Sequence, residues 1–418
     1  MLFYIFWSGF MVYLIAKKTG HSFSPLIHKE FGRYDYGTKE LEESELREFF
    51  EKREFLGLNV TVPYKTTVMQ YLDEISDEAK QIGAVNTIVN RGGRLFGYNT
   101  DKAGFEYTLS SSGIVIEGKD VLVIGSGGAS KAIVAALGHF SPRSIRVLRH
   151  ADNVPERIGE YLDAQIIVNT TPVGMFPNAY VSPIELSQFK KVDAVFDVIF
   201  NPLKTQLLLD AHHEGIPYFN GLSMLVAQAK AGCEYFSGMP VDDGEIERIQ
   251  DIIQKKVTNV TLIGMPGCGK SSVGRYIAER LGKKFIDTDN EIRSLGRTPA
   301  EIITSDGEDA FRSIESEVVR RCGMMSGHVI ATGGGVITRL ENYDPLFQNG
   351  IIIFIDRSIE LLATKGRPLS SGGLDALKKL HKTRLPLYER FAHFTVDGNG
   401  SISEVGDRIL ALLKELEG

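Results

Sequence analysis

Residues 264–271 read GMPGCGKS, and this stretch decides the fold of the second half of the chain. It fits the pattern G-x-x-x-x-G-K-[ST], follows the apolar run 260–263 and precedes the amphipathic run 273–281. A glycine-rich turn between a strand and a helix lets backbone N–H groups point at a phosphate group. The pattern therefore predicts a nucleotide phosphate site, and a glycine turn that carries a lysine by chance is the alternative.

Two side chains of this loop would carry the chemistry. Lys270 brings a mobile positive charge to the β- and γ-phosphates, and Ser271 offers a hydroxyl to Mg²⁺. The nucleotide contacts are assigned to Gly264, Met265, Pro266, Gly267, Cys268, Gly269, Lys270, Ser271 and Ser272.

The composition is that of a globular protein with more than one domain. The chain has 418 residues, of which 43% are hydrophobic and 24% charged, so two or three domains are expected. The formal net charge of -6 argues against a nucleic-acid partner, which favours a basic surface. Cys233, Cys268 and Cys322 are too widely spaced for a disulfide framework or a zinc site. These features predict a cytoplasmic protein.

The first 16 residues are almost wholly apolar but lack the features of a targeting segment. They have no basic residues before the apolar run, Lys17 and Lys18 follow it, and no small-residue cleavage site is present. The run is also shorter than the roughly 20 residues that cross a bilayer as a helix. Residues 11–16 are therefore predicted as a buried strand and no membrane partner is expected, with a weak membrane anchor as the alternative. Residues 1–10 have no predicted role.

Residues 119–148 have the pattern of a dinucleotide-binding unit. The apolar strand 120–124 is followed by the glycine turn GSGGAS, a helix at 131–137 and a second strand at 144–148. Glycines in such a turn let a pyrophosphate approach the helix N-terminus closely. Arg149 follows the second strand where an acidic residue would select NAD, and an arginine suits a ribose 2′-phosphate. NADP is therefore favoured, with NAD as the alternative.

Other segments predict the elements around this unit. Hydrophobic periodicity and turn residues predict strands at 57–62, 86–90 and 94–98, and helices at 67–72, 76–82, 206–213, 224–236 and 245–256.

In the second half, acidic residues and glycines follow two predicted strands. Asp287 and Asp289 come after the strand 284–286, in the crevice where doubly wound sheets bind ligands, and they could hold Mg²⁺ and a substrate hydroxyl. Capping of a helix at 290–295 is the alternative. Gly333, Gly334 and Gly335 follow the strand 329–332, where backbone would approach a ligand closely.

Over residues 11–254 the chain resembles shikimate dehydrogenase. The motifs are HSFSP (21–25), NVTVPYK (59–65), AVNT (84–87), YNTD (98–101), GSGGAS (125–130), NTTPVGM (169–175), DVIFNPLKT (197–205) and NGLSMLVAQA (220–229). The resemblance implies that Lys65 and Asp101 handle the proton while NADPH delivers hydride to the C3 ketone of 3-dehydroshikimate. It places Ser22 and Ser24 at the substrate carboxylate and Thr61, Asn86 and Gln228 at the ring hydroxyls.

The resemblance also implies an NADP site formed by the glycine turn and later strand ends. Its residues are Gly125, Ser126, Gly127, Gly128, Ala129, Ser130, Arg149, Asn169, Thr170, Gly221 and Met224. The chemistry agrees with the proton roles, because reducing a ketone needs a proton donor and a lysine beside a carboxylate can act as one. Taken singly, Lys65 could be a solvated lysine, Asp101 a helix cap, and Ser22 and Ser24 turn residues.

Residues 257–418 resemble shikimate kinase. The phosphate loop, FIDTD, GEDAFR with Glu315, GGG, GRPL and RLPLYER occur in the order of that family. The resemblance implies ATP and Mg²⁺ at the loop, with Ser271 and Asp287 at the metal and Arg367 on a lid over the transferring phosphate. It places Asp289, Arg312, Gly333, Gly334, Gly335 and Arg384 around shikimate.

We therefore expect an α/β protein that makes shikimate and then consumes it. The expected domains are a substrate-binding domain at 1–110 completed by helices at 221–254, a Rossmann NADP domain at 111–220, and a P-loop NMP-kinase-like domain at 257–418. The expected ligands are NADP, ATP, Mg²⁺, 3-dehydroshikimate and shikimate, in a monomer or homodimer. A quinate-sensing regulator, a nucleotide-binding scaffold and an NAD-dependent quinate or shikimate dehydrogenase are the alternatives.

Overall fold

The computed structural model describes residues 11–20, 22–149, 155–362 and 373–416. The chain divides into two compact units, Met1–Asn201 with Thr205–Gln250 and Pro202–Lys204 with Asp251–Gly418. The predictions for residues 1–10, for His21 and for Arg367 fall outside the described residues. No helix in the described ranges is both long and apolar enough to cross a lipid bilayer.

The first unit begins with a six-stranded mixed sheet. Its elements are β1 (Val12–Ala16), α1 (Ser24–Phe31), β2 (Tyr36–Glu40), α2 (Leu46–Lys52), β3 (Gly57–Val60), β4 (Glu74–Ile75), α3 (Asp77–Ile82), β5 (Thr87–Arg91), β6 (Arg94–Tyr98) and α4 (Asp101–Ser112). The strand order is β2-β1-β3-β5-β6-β4. Strand β1 runs parallel to β2 and β3, whereas β5 runs antiparallel to β3 and β6.

The two faces of this sheet differ in chemistry because successive strand residues point to opposite sides. Leu58, Val60 and Ile88 belong to one buried apolar cluster. Asn59 and Thr87, which alternate with them, are buried polar residues on the other face. The sheet therefore has one hydrophobic face and one face that carries polar side chains at its centre.

An all-parallel five-stranded sheet follows. Its elements are β7 (Asp120–Ile124), α5 (Gly128–Gly138), β8 (Ser144–Leu148), α6 (Pro155–Ile158), β9 (Ile166–Asn169), β10 (Ala194–Asp197), α7 (Gln206–His213) and β11 (Tyr218–Phe219). The order is β11-β10-β9-β7-β8, with apolar clusters on both faces. Because β8 and β9 lie on opposite sides of β7, the glycine turn after β7 stands at the switch point where such sheets bind ligands.

Two helices complete the first half of the chain. They are α8 (Leu222–Ser237) and α9 (Gly244–Val257). Helix α8 packs against α4 and α1. The contact with α4 is close, because a Cβ built on Gly104 would lie 2.7 Å from the carbonyl oxygen of Met224.

The second unit is a parallel five-stranded sheet covered by helices. Its further elements are β12 (Asn259–Ile263), α10 (Lys270–Leu281), β13 (Lys284–Asp287), α11 (Thr288–Arg293), α12 (Pro299–Asp306), α13 (Glu308–Gly323), β14 (His328–Ala331), α14 (Tyr343–Phe347), β15 (Gly350–Asp356), α15 (Gly373–Phe391), β16 (Phe394–Asp397) and α16 (Ile402–Glu415). The order is β13-β14-β12-β15-β16. Strand β12 is central, so the glycine-rich loop at its carboxyl end lies in the middle of the sheet edge.

The α/β class predicted from the sequence is confirmed. Some predicted bounds were wrong. Strand β3 ends at Val60 rather than at Val62, which is 73% exposed and precedes Pro63, a residue that cannot donate to a strand ladder. Helix α5 begins at Gly128, three residues before its predicted start, so the first helical turn lies inside the glycine motif.

Candidate active sites

Lys65 and Asp101 form a close ion pair in the first unit. The Lys65 Nζ lies 2.5 Å from Asp101 Oδ2, and the side chains are 17% and 8% exposed. Asp101 is the first residue of α4, and the N-cap position is Thr100. The Asp101 carboxylate therefore faces the lysine and does not cap the helix, which was the alternative for it.

Asn86 and Gln228 lie beside this pair. Asn86 Nδ2 donates to Asp101 Oδ1 at 2.9 Å, and its Oδ1 accepts from the Thr100 N–H at 2.8 Å. Thr100 also donates through its hydroxyl to Gln228 Oε1 at 3.3 Å. The structure thus brings four predicted site residues, Lys65, Asp101, Asn86 and Gln228, together through one threonine that the sequence reasoning did not single out.

The predicted carboxylate-binding residues form a local hydrogen-bonded turn. Ser22 Oγ donates to Ser24 Oγ at 3.1 Å and accepts from the Ser24 N–H at 3.2 Å. Ser24 is the first residue of α1 and is buried. Thr61 follows the end of β3 and donates its N–H to Ile15 O at 3.1 Å.

The glycine turn after β7 is shaped for a close ligand and lies near the lysine. Gly125 has φ +113°, and a Cβ built on it would lie 2.5 Å from Thr170 Oγ1. Gly127 has open space around it, whereas a Cβ on Gly128 would lie 3.7 Å from Lys65 Cδ. A dinucleotide bound at this turn would therefore have Lys65 close to the helix N-terminus that holds its phosphates.

Three predicted NADP residues make internal hydrogen bonds. Ser130 is buried and donates its hydroxyl to Gly125 O at 2.8 Å, so it fixes the turn where a third glycine would stand. Thr170 Oγ1 donates to Ile124 O at 2.7 Å. Asn169 is fully buried and donates its amide to both oxygens of Asp197 at 3.1 Å. These side chains shape the crevice from beneath.

The other predicted NADP residues differ in exposure. Arg149 is exposed one residue beyond β8, as a 2′-phosphate contact requires. Met224 belongs to an apolar cluster, and a Cβ on Gly221 would lie 1.9 Å from Val198 O. Ser126 and Ala129 complete the turn and the first helical turn of α5. Gly221 is thus required for backbone packing.

The second unit contains a cleft of about 580 Å³ over the carboxyl ends of its strands. The predicted residues that line it are Pro266, Gly267, Gly269, Lys270, Ser271, Ser272, Asp287, Asp289, Arg312, Gly333, Gly334, Gly335 and Arg384. Gly264, Met265 and Cys268 are not among the lining residues. A Cβ on Gly264 would lie 2.7 Å from Ile355 O, so this glycine lets the loop pass over β15.

Lys270 is held by the loop itself. It is buried, and its Nζ donates to Gly264 O at 2.9 Å and to Met265 O at 3.1 Å. Gly267 and Gly269 have φ +89° and +104°, a region that favours glycine. These residues fit the phosphates of a nucleotide, because the loop backbone is turned and the cation is already in place.

The two carboxylates after β13 have different surroundings. Asp287 caps α11 through hydrogen bonds from the N–H groups of Asp289 and Asn290, so the capping alternative describes its contacts in this structure. Asp289 lines the cleft, where burial and then the nearby Asp287 charge raise its pKa, against Lys270 and two arginines. Ser271 and Asp287 lie on the same cleft, as a shared Mg²⁺ would require.

Two buried arginines and three glycines also line the cleft. Arg312 Nη1 donates to Glu315 Oε2 at 2.6 Å, and Arg384 Nη1 donates to Gly334 O at 3.0 Å. A Cβ on Gly335 would lie 2.2 Å from the Arg312 guanidinium, and one on Gly333 would lie 2.4 Å from Glu315 Oε1. The glycines thus leave the space that these charged groups occupy.

Several residues that line the cleft had no role assigned from the sequence. Among the residues that the structure describes, Glu315 Oε1 is a buried acceptor without a hydrogen-bond partner, which suits a substrate hydroxyl. Burial raises the Glu315 pKa despite Arg312. Arg293, Thr298, Ile303 and Phe311 also line the cleft. Glu315 was named with the GEDAFR motif but was given no role, although its position three residues after Arg312 could have placed it beside that arginine.

The comparisons with known proteins match both halves of the chain. The family model described as shikimate dehydrogenase substrate binding domain matches residues 14–88, and that described as shikimate kinase matches residues 266–414. The NADP(+) shikimate dehydrogenase of Caldicellulosiruptor bescii is 36% identical over 247 residues, which are 52% of this chain and 86% of that protein. One from Methanococcus maripaludis is 38% identical over 256 residues, 55% and 91% of the two proteins.

Solved structures agree with these matches. A chorismate mutase/shikimate 5-dehydrogenase fusion protein from Clostridium acetobutylicum superposes with a TM-score of 0.55 at 34% identity, covering 59% of this chain and 98% of that one. In its first part the chain therefore belongs to the shikimate dehydrogenase family, and it continues into a shikimate kinase domain.

Proposed function

We propose that this chain catalyses two consecutive reactions, NADPH-dependent reduction of 3-dehydroshikimate to shikimate and ATP-dependent phosphorylation of shikimate to shikimate 3-phosphate. The observation that carries the proposal is that each unit brings together side chains suited to one of the two reactions. Lys65 and Asp101 lie 2.5 Å apart beside a glycine turn, and Lys270, Asp289 and Arg312 share one cleft.

In the first reaction, bound NADPH supplies a hydride to the ketone carbon. As the carbonyl oxygen gains negative charge, the Lys65 ammonium donates a proton to it, so that the alcohol forms without a free alkoxide. Asp101 stabilises the charged lysine and fixes its direction, and Asn86 holds Asp101. Ser22, Ser24, Thr61 and Gln228 are proposed to orient the carboxylate and ring hydroxyls.

In the second reaction, bound ATP would supply the phosphoryl group and Mg²⁺ would offset the negative charge of its phosphates. Asp289 is proposed to accept a hydrogen bond from the attacking hydroxyl, and Arg312 and Arg384 to pair with the substrate carboxylate. Lys270 neutralises charge that develops on the transferring group, as Arg367 would from the lid. Such a site works by position and electrostatics rather than by a strong base.

The domain division is also proposed. The six-stranded sheet with α8 would form the substrate-binding domain, the parallel sheet at 120–219 the NADP domain, and residues 257–418 the kinase domain. A regulator that binds quinate without turnover is disfavoured, because the proton-handling pair and the phosphate loop keep their chemical groups. Initial rates of oxidation of shikimate and of quinate, each with NADP⁺ and with NAD⁺, would decide between the dehydrogenase alternatives.

The proposal is tested by giving the purified chain 3-dehydroshikimate, NADPH and ATP–Mg²⁺ together while following NADPH loss and ADP release. We expect Lys65→Ala to lower NADPH loss about 10²- to 10⁴-fold and to stop ADP release, which added shikimate restores. Lys270→Ala should keep NADPH loss and abolish ADP release. Lys80→Ala, which removes an exposed lysine, is the control and should change neither rate.

Normal reduction by Lys65→Ala would refute the proton assignment. ADP release at the wild-type rate in Lys270→Ala would refute the phosphate assignment.

A further inference from the structure

Three polar side chains lie along one face of the six-stranded sheet, from its edge strand to its centre. Tyr36 on the edge strand β2 is half-buried, whereas Asn59 on β3 and Thr87 on β5 are buried. The His28 ring of α1 stacks on Tyr36 with centroids 4.1 Å apart, and a Cβ on Gly232 of α8 would lie 3.5 Å from Asn59 Nδ2. Buried polar groups are costly unless hydrogen-bonded, so their presence under two helices needs a reason.

These side chains form a continuous line of hydrogen bonds. The Tyr36 hydroxyl donates to Asn59 Oδ1 at 2.8 Å, and Asn59 Nδ2 donates to Thr87 Oγ1 at 3.4 Å. Asn59 and Thr87 are direct partners across the antiparallel β3–β5 pair, which sets this contact. The Thr87 hydroxyl then donates to Asn86 Oδ1 at 3.1 Å.

The line ends on the proton-handling pair. Asn86 Nδ2 donates to Asp101 Oδ1 at 2.9 Å, and the other Asp101 oxygen lies 2.5 Å from Lys65 Nζ. The Thr87 hydroxyl lies 3.1 Å from Asn86 Oδ1 and 3.3 Å from the Thr100 hydroxyl. Asn86 Oδ1 also accepts from the Thr100 N–H at 2.8 Å, so Thr87 and Thr100 together hold the Asn86 amide with its nitrogen towards Asp101.

The line stays uncharged at ordinary pH. Burial lowers the pKa of His28 to about 3, so the imidazole on Tyr36 is neutral. Burial raises the pKa of Tyr36, and it also raises those of the neighbouring Tyr34 and Cys233. The line ends on the Lys65–Asp101 ion pair, and a change in the line acts on how that pair is oriented.

We infer that Tyr36, Asn59 and Thr87 are positioning residues for the dehydrogenase reaction, which hold the Asn86 amide in the orientation that donates to Asp101. The inference rests on the proposed reduction of 3-dehydroshikimate. The line also begins near Ser24, a proposed carboxylate contact, whose side chain acts against burial on the pKa of Tyr36.

Thr87→Val tests the inference, because it removes the hydroxyl and keeps the shape and the strand preference. We expect kcat for reduction to fall about 10- to 100-fold with a smaller change in KM, since a misplaced catalytic group costs rate rather than binding. Thr87→Ser keeps the hydroxyl and should retain most of the rate. The kinase rate of the same chain, measured with shikimate, reports on folding and concentration.

A double variant separates positioning from mere stability. Tyr36→Phe should lower kcat less, and the double variant should be no slower than Thr87→Val, because both changes break the same line.

A wild-type kcat in Thr87→Val would overturn the inference, as would effects of Tyr36→Phe and Thr87→Val that multiply. Equal losses of kcat in Thr87→Val and Thr87→Ser would do so too. If instead Lys65→Ala kept its rate, the proposed proton assignment would fail and not this inference alone.

Discussion

A methyl group added at Gly335 would occupy the space of a charged side chain in the kinase cleft. A Cβ at this position would lie 2.2 Å from both terminal nitrogens of Arg312, the end of a flexible side chain that can move aside. We expect Gly335→Ala to fold but to displace the guanidinium, and to lower kinase kcat/KM about 10- to 100-fold through a lost charged hydrogen bond. Steady-state kinetics with varied shikimate measure this, and NADPH oxidation should not change.

Gly323 provides the contrast for this prediction. A Cβ there would lie 2.0 Å from the Pro345 carbonyl oxygen, which is backbone and cannot swing away. Gly323→Ala should therefore lower the melting temperature of the kinase unit, whereas Gly335→Ala should not. A Gly335→Ala chain that melts as early as Gly323→Ala would show that the assumed freedom of Arg312 is wrong.

Asp289 leads to a prediction about pH. Burial, reinforced by the Asp287 charge, raises its pKa above the usual aspartate value. An acid with a raised pKa stays protonated to higher pH, and a protonated Asp289 cannot accept from the attacking hydroxyl. The acid limb of kinase kcat/KM should therefore lie at higher pH than an ordinary aspartate would give, and Asp289→Asn should lower the rate and abolish that limb. A limb unchanged in Asp289→Asn would assign it to another group.

At the scale of single residues, the sequence predicted which residues lie at a site better than it predicted what their side chains contact. Lys65 and Asp101 were paired by motif although 36 positions separate them, and the structure places them 2.5 Å apart. In contrast, Ser130 and Asn169 were assigned to NADP, yet their side chains bond to Gly125 and Asp197. A motif marks which residue is needed, but the direction of its side chain depends on neighbours far along the chain.

Among the elements, the contact between α4 and α8 gives the third prediction. A Cβ on Gly104 would lie 2.7 Å from Met224 O and 2.9 Å from Gln228 Cβ, so α8 itself must move. We expect Gly104→Ala to lower the free energy of unfolding by about 1–3 kcal/mol. Because Gln228 moves with α8, KM for 3-dehydroshikimate should rise. Denaturant titration of dehydrogenase activity and steady-state kinetics measure the two effects.

Gly138 is the matched control for Gly104. It ends α5 and has no atom within 4 Å of an added Cβ, and alanine favours a helix over glycine by up to about 1 kcal/mol. Gly138→Ala should leave the dehydrogenase unchanged or slightly more stable. If both variants lost the same stability, the cost would come from glycine replacement in general and not from the α4–α8 contact.

The helices and strands also show which features of the fold a local sequence pattern can predict and which it cannot. Helices 206–213 and 245–256 were predicted from periodicity to within one residue of α7 and α9. Helix α5 begins three residues early because Gly127 and Gly128 adopt the helix start that a phosphate turn requires. The Tyr36–Asn59–Thr87 line could not be predicted, since it depends on the register of β3 against β5 and on two helices that cover it.

In the whole molecule, each candidate site is built from the side chains of one compact unit. The proton-handling pair, Asn86 and Gln228 lie in the first unit, and the residues that line the kinase cleft all lie in the second. Nothing in the chemistry of either reaction requires a group from the other unit. Shikimate is a small anion that dissolves in water, so diffusion between sites is the expected route.

This gives the last prediction, that two defective chains complement each other. Lys65→Ala alone cannot make shikimate, and Lys270→Ala alone cannot phosphorylate it. A mixture of the two, supplied with 3-dehydroshikimate, NADPH and ATP–Mg²⁺, should release ADP after a lag in which free shikimate accumulates. At equal concentrations of working sites, the wild-type chain should show the same lag. A mixture that releases no ADP, although each variant keeps its remaining activity, would mean that shikimate must pass within one chain. A shorter lag in the wild-type chain would show that part of the shikimate passes from the first site to the second within one chain.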